Sequence, residues 1–175
     1  MKINVLFDET TLKNRIHELG TQISDDYRNK KLLLICILKG GVVFMTDLMR
    51  EITIPLETEF LRASSYKGQC SGKLEIQENS INKLDISDYH VIIVEDILDT
   101  GNTLFNISAL LRAENPKSLK LCVLLDKPSR RESPISADYS GFEIPDRFVV
   151  GFGLDYDEKY RNLPYIGEIL PEENT

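Results

Sequence analysis

This chain predicts an α/β fold built on a mainly parallel, twisted sheet with helices on both faces. Leu32–Leu38 (LLLICIL), Tyr89–Val94 (YHVIIV) and Ser118–Asp126 (SLKLCVLLD) are continuous apolar runs of strand length, the pattern of strands buried on both faces. Segments with apolar residues at helical spacing follow two of these runs. Strand, short polar or glycine-rich turn and helix therefore recur in the order that a parallel sheet requires.

Taken in order, residues 8–30 read as an amphipathic helix, with Leu12, Ile16, Leu19, Ile23 and Tyr27 on one face and Asp8 able to cap its start. The run Leu32–Leu38 is the first buried strand, closed by Lys39-Gly40-Gly41, and Gly41–Ile52 returns to a helical pattern. Residues 55–63 read as a strand. The chain from Ser64 to about Lys83 is polar and rich in Ser, Gly, Lys and Asn, and so long a loop in a small domain marks a functional or mobile segment. Tyr89–Val94 is the second buried strand, Asn102–Ala113 a helix and Ser118–Asp126 the third buried strand; Asp146–Gly151 adds a short apolar run. The terminal segments are expected to form a small hood over the sheet's edge. With no internal repeat, low-complexity tract or linker, residues 1–175 are expected to form one domain.

At 175 residues, 42% hydrophobic, the chain can bury a proper core. Its formal net charge of -7 disfavours nucleic acid and anionic membrane as partners. The N-terminus reaches Asp8 and Glu9 before a signal-like stretch can form, and the longest apolar run is too short to span a bilayer. Cys36, Cys70 and Cys122 show neither a disulfide framework nor zinc spacing. A reduced, cytoplasmic protein is expected.

In a parallel sheet, ligands bind beyond the carboxyl ends of the strands. The three buried runs end in Lys39-Gly40-Gly41, in Glu95-Asp96-Ile97-Leu98-Asp99-Thr100-Gly101 and in Asp126-Lys127-Pro128. Glu95 and Asp96 leave the second run side by side, where like charges cost energy unless a cation or hydroxyl groups absorb them. Asp99 follows, and Thr100-Gly101-Asn102-Thr103 opens a helix whose free N–H groups and threonine hydroxyls suit a phosphate. An ordinary capped helix start, with Asp99 or Thr100 as cap, would explain Asp99 but not the acid pair. Taken singly, Phe148 reads as a core residue, Lys127 as a solvated turn lysine and Arg161 as a surface ion-pair partner; His17 and His90 receive no role. The P-loop string GxxxxGK[ST] is absent, and Lys127-Pro128 follows the acid pair too closely for a receiver domain.

The segment VIIVEDILDTGNT (Val91–Thr103) resembles the phosphoribosyl-diphosphate (PRPP) motif of type I phosphoribosyltransferases. LLLICILKGG, SSYKG, LLDKP and FVVGFGLDYDEKYRNLPYIG are similar, in order and spacing, to the blocks of the hypoxanthine-guanine phosphoribosyltransferases. The resemblance implies the type I phosphoribosyltransferase fold and a salvage enzyme that converts hypoxanthine or guanine plus PRPP to IMP or GMP and diphosphate, with Mg²⁺ as cofactor. It also implies a homo-oligomer, dimer or tetramer.

Residue by residue, Lys39 and Gly40 match the diphosphate loop, which in the family has a non-proline cis peptide. Arg161 matches a further diphosphate contact, and Ser65 and Tyr66 lie on a loop that closes over the substrates. Glu95 and Asp96 match the acids at the ribose hydroxyls and Mg²⁺, and Thr100, Gly101, Asn102 and Thr103 the 5′-phosphate loop. Asn102 stands where the family varies and is sometimes basic. Asp99 matches the proposed general base at purine N7. Ile97, Lys127, Phe148, Val149 and Asp155 match the purine end: Lys127 as donor to the 6-oxo group, Phe148 stacked on the base, and Val149 through its backbone. Asp155 also matches a ligand, direct or through water, of a second Mg²⁺. The alternative is a PRPP-binding regulator of the same fold without turnover.

Overall fold

The computed structural model describes residues 2–65, 74–76 and 85–170. Its elements run β1 (Lys2–Phe7), α1 (Glu9–Asp26), β2 (Leu32–Leu38), α2 (Val42–Glu51), β3 (Leu56–Ser65), β4 (Leu74–Ile76), β5 (His90–Leu98), α3 (Asn102–Ala113), β6 (Ser118–Asp126), a 3-10 turn (Pro128–Arg130), β7 (Tyr139–Glu143), β8 (Val149–Val150) and β9 (Ile166–Leu170). The main sheet has the order β4-β3-β2-β5-β6-β7. β3, β2, β5, β6 and β7 are parallel, and β4 is antiparallel to β3.

Two cores explain why the strands read as unbroken apolar runs. Leu32, Leu34 and Cys36 of β2, Ile92 and Val94 of β5 and Leu124 of β6 pack with α1 and α2 on one face. Leu33, Ile35 and Ile37, with Val91, Ile93 and Val123, pack with Leu104, Ile107 and Leu111 of α3 on the other. Alternate residues of each strand thus feed opposite layers. Each fully buried Leu or Ile side chain contributes about 1.5–3 kcal/mol. α1 starts as expected, with the Thr11 N–H donating to Asp8 Oδ1 at 2.8 Å.

The expected hood is a second sheet of order β1-β9-β8, which joins the first and last strands of the described residues. β1 pairs antiparallel with β9, from Lys2 opposite Leu170 onward. Phe7 stacks on Phe142 of β7 with centroids 4.1 Å apart, and Arg15 donates to the carbonyls of Ser140 and Gly141 at 2.8 and 2.9 Å.

Four expectations change. α1 ends at Asp26 and not at residue 30. β5 does not end before the acid pair: it continues through Leu98, because Glu95, Ile97 and Leu98 pair with Val123, Leu125 and Asp126 of β6. β1, β7 and β9 are strands that the sequence reading left out. The polar 64–83 segment contains β4, and β3 runs on to Ser65. Tyr66, Cys70 and most of that segment lie outside the described residues.

Helix α2, which follows the Lys39-Gly40 turn, is held in place by a close crossing with α1. A Cβ at Gly20 would lie 2.8 Å from the backbone carbonyl of Glu51. Ser24 Oγ donates to the Gly20 carbonyl at 2.6 Å and accepts from the Thr53 N–H at 3.0 Å. Replacing a helical glycine by alanine ordinarily gains about 1 kcal/mol. Overpacking against backbone costs roughly 1–3 kcal/mol, so Gly20→Ala is expected to lower the unfolding midpoint. Thermal denaturation measures this, and a raised midpoint would show that the two helices part without cost.

Candidate active site

The strand order reverses direction between β2 and β5, and the crevice at such a switch point is where an open parallel sheet binds ligands. β2 and β5 pair only as far as Cys36 opposite Val94. Beyond that point β2 turns away through a cis Leu38-Lys39 peptide bond and Gly40, while β5 continues beside β6. The parting opens a cavity of about 230 Å³ lined by Ile37, Leu38, Gly40, Glu95, Asp96, Ile97, Asp99, Thr100, Gly101, Thr103 and Leu104. Eight residues named from the sequence therefore share one cavity: Gly40, Glu95, Asp96, Ile97, Asp99, Thr100, Gly101 and Thr103.

The acid pair forms the deep wall. Asp96 is buried, its own N–H donates to Glu95 Oε1 at 3.0 Å, and a Cβ at Gly40 would overlap its carboxylate. Burial, then the neighbouring Asp96 charge, hold the Glu95 carboxyl well above the ordinary carboxylate range. Burial also raises Asp96, with Arg161 pulling it back.

The turn at Thr100–Thr103 keeps a weak form of the cap that the plain helix reading offered, the Asn102 N–H donating to Thr100 Oγ1 at 3.5 Å. Gly101 stands at the N-cap of α3 with φ 83°, and no side chain bonds the first turn from that position. The first N–H groups of α3 thus face the cavity's rim with the helix dipole behind them. Asn102 turns aside, its amide donating to Glu132 at 2.8 Å and accepting from Ser133 Oγ at 2.5 Å.

The segment after β6 braces this turn, and the sequence reading missed it. The Glu132 and Ser133 N–H groups donate to the Thr100 carbonyl at 2.9 and 3.1 Å. Arg131 donates to the carbonyls of Leu98 and Asp99 at 3.2 and 2.8 Å and pairs with Asp126. Two adjacent arginines after a lysine-proline turn gave only a generic surface signal.

Lys127 is no solvated lysine: it is 6% exposed, its N–H donates to the Leu98 carbonyl at 2.9 Å, and its Nζ lies 3.9 Å from Asp146. Phe148 is no core residue: it is 54% exposed and meets Tyr156 edge-on at 5.5 Å. Val149 is in β8, paired with β9.

Arg161 donates to the Gly153 carbonyl at 2.8 Å and pairs with Asp155 at 2.9 Å. Asp155 Oδ2 accepts from the Glu158 N–H at 2.9 Å. Lys39 pairs with Glu158 at 2.9 Å and does not line the cavity. Gly153, with φ 101°, packs against the Gly40 carbonyl so closely that a Cβ would collide with it, which brings this loop onto the Lys39-Gly40 turn. Ser65 ends β3, and Tyr66 lies outside the described residues. No helix among the described residues is long and apolar enough to cross a membrane.

A parallel sheet, a switch-point cavity with an acid pair, and a glycine turn opening a helix define an α/β protein with a crevice suited to a phosphorylated ligand. A phosphoribosyl transferase domain model matches residues 5–157. A hypoxanthine-guanine phosphoribosyltransferase of Staphylococcus aureus is 46% identical over 170 residues, 96% of this chain and 94% of the relative. A crystal structure of a hypoxanthine phosphoribosyltransferase from Staphylococcus aureus superposes with a TM-score of 0.89 at 45% identity, covering 97% of this chain and 92% of that one. The Trypanosoma cruzi hypoxanthine phosphoribosyltransferase, in complex with the product IMP, gives 0.87 at 40%, covering 96% and 94%. The chain belongs to the family of hypoxanthine and hypoxanthine-guanine phosphoribosyltransferases.

The raised acid pair sets a pH dependence. In the folded protein these carboxyls keep protons that the unfolded chain has released. Their contribution to stability is therefore complete below the ordinary carboxylate range and is lost as pH rises through the raised values. Glu95→Gln keeps the shape without the charge, so it is expected to flatten the decline in ligand-free stability over the interval above the ordinary carboxylate range. Denaturant unfolding of both proteins across that interval measures it; parallel curves would show that Glu95 ionises without cost.

Proposed function

We propose that this purine salvage phosphoribosyltransferase joins hypoxanthine or guanine to ribose C1 of PRPP, giving IMP or GMP and diphosphate, with Mg²⁺ as cofactor and in the cytoplasm. The observation that carries the choice of base is the buried Lys127. Its ammonium has donors only, so it suits a base with an acceptor at position 6. Phe148, exposed two residues beyond Asp146, offers an open aromatic face for stacking, and the Val149 backbone contacts the base edge. Asp99 takes the N7 proton as general base.

The remaining roles follow the cavity wall. Thr100, Gly101 and Thr103 with the open end of α3 hold the 5′-phosphate, with Asn102 at the turn's outer side. Glu95 and Asp96 hold the ribose hydroxyls. Departure of diphosphate leaves positive charge on the sugar, as in glycoside hydrolysis, and this wall of carboxylates favours it. Lys39, Gly40 and Arg161 hold the diphosphate, joined by Ser65 and Tyr66. The Lys39–Glu158 pair is exposed and weak enough to be exchanged for a phosphate.

The donor set fits Mg²⁺. Hard carboxyl oxygens stand adjacent with no ion pair among the described residues, and Mg²⁺ commonly takes one or two carboxylates, displacing their protons, and completes its shell with substrate oxygens and water. Glu95 and Asp96 would hold one ion. Both Asp155 oxygens already have partners, so a contact through water suits Asp155 better than a direct one. Bound there, Mg²⁺ supplies charge neutralisation for the leaving diphosphate.

Buried, free Cys36 and Cys122 agree with a reducing compartment. The proposal includes a homo-oligomer, dimer or tetramer, which sedimentation measures. A regulator without turnover finds no support, since the relatives are named as enzymes.

Steady-state kinetics with hypoxanthine, guanine and adenine test the reading. Adenine presents a donor where Lys127 needs an acceptor, and such mismatches lower kcat/KM by roughly 10⁴-fold. Lys127→Ala is expected to impair use of the 6-oxopurines while leaving PRPP affinity nearly intact. A chelator should abolish turnover and Mg²⁺ restore it. Comparable adenine turnover, or full activity without metal, would overturn the assignment.

A further inference from the structure

Four charged side chains of alternating sign link the two groups expected to meet the base. Arg130 Nε lies 3.1 Å from Asp99 Oδ1, and its Nη1 lies 3.5 Å from Asp146 Oδ2. Asp146 Oδ1 in turn lies 3.9 Å from Lys127 Nζ. Arg130 ends the 3-10 turn that follows β6, so the turn brings a cation back across to the end of β5.

The two oxygens of Asp99 differ. Oδ1 is buried and without an aligned hydrogen bond, and Arg130 is the cation facing it. The side chain as a whole is 39% exposed and lines the cavity. Oδ2 accepts no hydrogen bond from the described residues, so it is the acceptor left open. A carboxylate that takes a proton from a ring nitrogen must offer one lone pair at a fixed angle. A cation pinned to the other oxygen supplies that constraint.

We infer that Arg130 is the positioning residue of the general base: its guanidinium fixes Asp99 Oδ1 so that Oδ2 faces purine N7, and through Asp146 it ties this orientation to Lys127 at the 6-oxo group. The inference rests on the reading of Asp99 as the base. Arg131 acts differently, since it braces the main chain of Leu98 and Asp99 through their carbonyls. Arg130 touches only side-chain charges, and at 44% exposure it contributes little to folding stability. Its loss should therefore appear in turnover and not in stability.

The experiment compares the full protein with Arg130→Ala, Arg130→Lys, Asp99→Asn and the double variant Arg130→Ala/Asp99→Asn, using PRPP, Mg²⁺ and hypoxanthine. Arg130→Ala is expected to lower kcat about tenfold or more, within the roughly 10²-fold that a 1 Å misplacement produces. The KM for PRPP and the unfolding midpoint should stay at their wild-type values, and Arg130→Lys should recover part of kcat. In the Asp99→Asn background, removing Arg130 should cause no further loss. Should Arg130→Ala fold poorly, Arg130→Met keeps the aliphatic stem and serves in its place. Unchanged kcat in a folded Arg130 variant overturns the inference, and so does a loss that multiplies with that of Asp99→Asn. If Asp99→Asn itself turns over normally, the reading of Asp99 falls first and the inference falls with it. If Asp99→Asn is slow and the losses multiply, only the role of Arg130 is lost.

Discussion

The contact of Gly40 with the buried Asp96 carboxylate is the constraint on which the site depends. Two parallel strands that stay paired to their ends leave no room between them. Here β2 leaves β5 after Cys36, and the chain that leaves must pass a carboxylate at a distance that admits no Cβ. The same turn is touched from the other side by Gly153, at the tip of the loop that holds Arg161. Three segments far apart in sequence therefore meet where only glycine backbone fits. The cavity is bounded on one flank by β2 and its turn and on the other by β5 and the start of α3.

Electrostatics and packing oppose each other at this point. The rest of the sheet gains from burying apolar side chains on both faces, whereas Glu95 and Asp96 place adjacent acids in a desolvated wall. The protein as a whole is acidic, so its general field gives no relief. Relief in the free protein is local and weak: Arg161 lies near Asp96 but is engaged by Asp155 and the Gly153 carbonyl. Such an arrangement is poorer for folding than an apolar one, and under the proposed function a cation and the ribose hydroxyls relieve it. A helix N-terminus beside it supplies fixed positive potential without any lysine.

Much of this was legible in the residues. β2, α3 and β6 have the limits expected, because an apolar run or a helical period stood out on both sides of clear punctuation. The acid pair stood out because adjacent carboxylates had no structural reason to leave a buried strand. Asp99 and Thr100–Thr103 also read as a capped helix start until the fold brought Asp99, Thr100, Gly101 and Thr103 to the cavity of the acid pair. β5 was read too short, since carboxylates at a strand end look like a terminus when their pairing partner, β6, is distant in sequence. β1, β7 and β9 were missed because their burial is partial and their partners lie far away along the chain. Lys127 and Phe148 reverse their ordinary expectations, the lysine inside and the phenylalanine outside, and composition has no means of signalling that. The chain of charges through Arg130 and Asp146 depends on a turn closing over β5, so it is visible only in three dimensions.

Under the proposed function, PRPP with Mg²⁺ relieves the buried, proton-favouring acid pair of the free protein. Calorimetric titration of PRPP in the presence of Mg²⁺, run near neutral pH in buffers of different ionisation enthalpy, measures the protons exchanged on binding. The wild type should release protons as the ligand binds, and Glu95→Gln should release fewer and bind more weakly. Binding without proton release, at an affinity that Glu95→Gln leaves unchanged, would contradict the account.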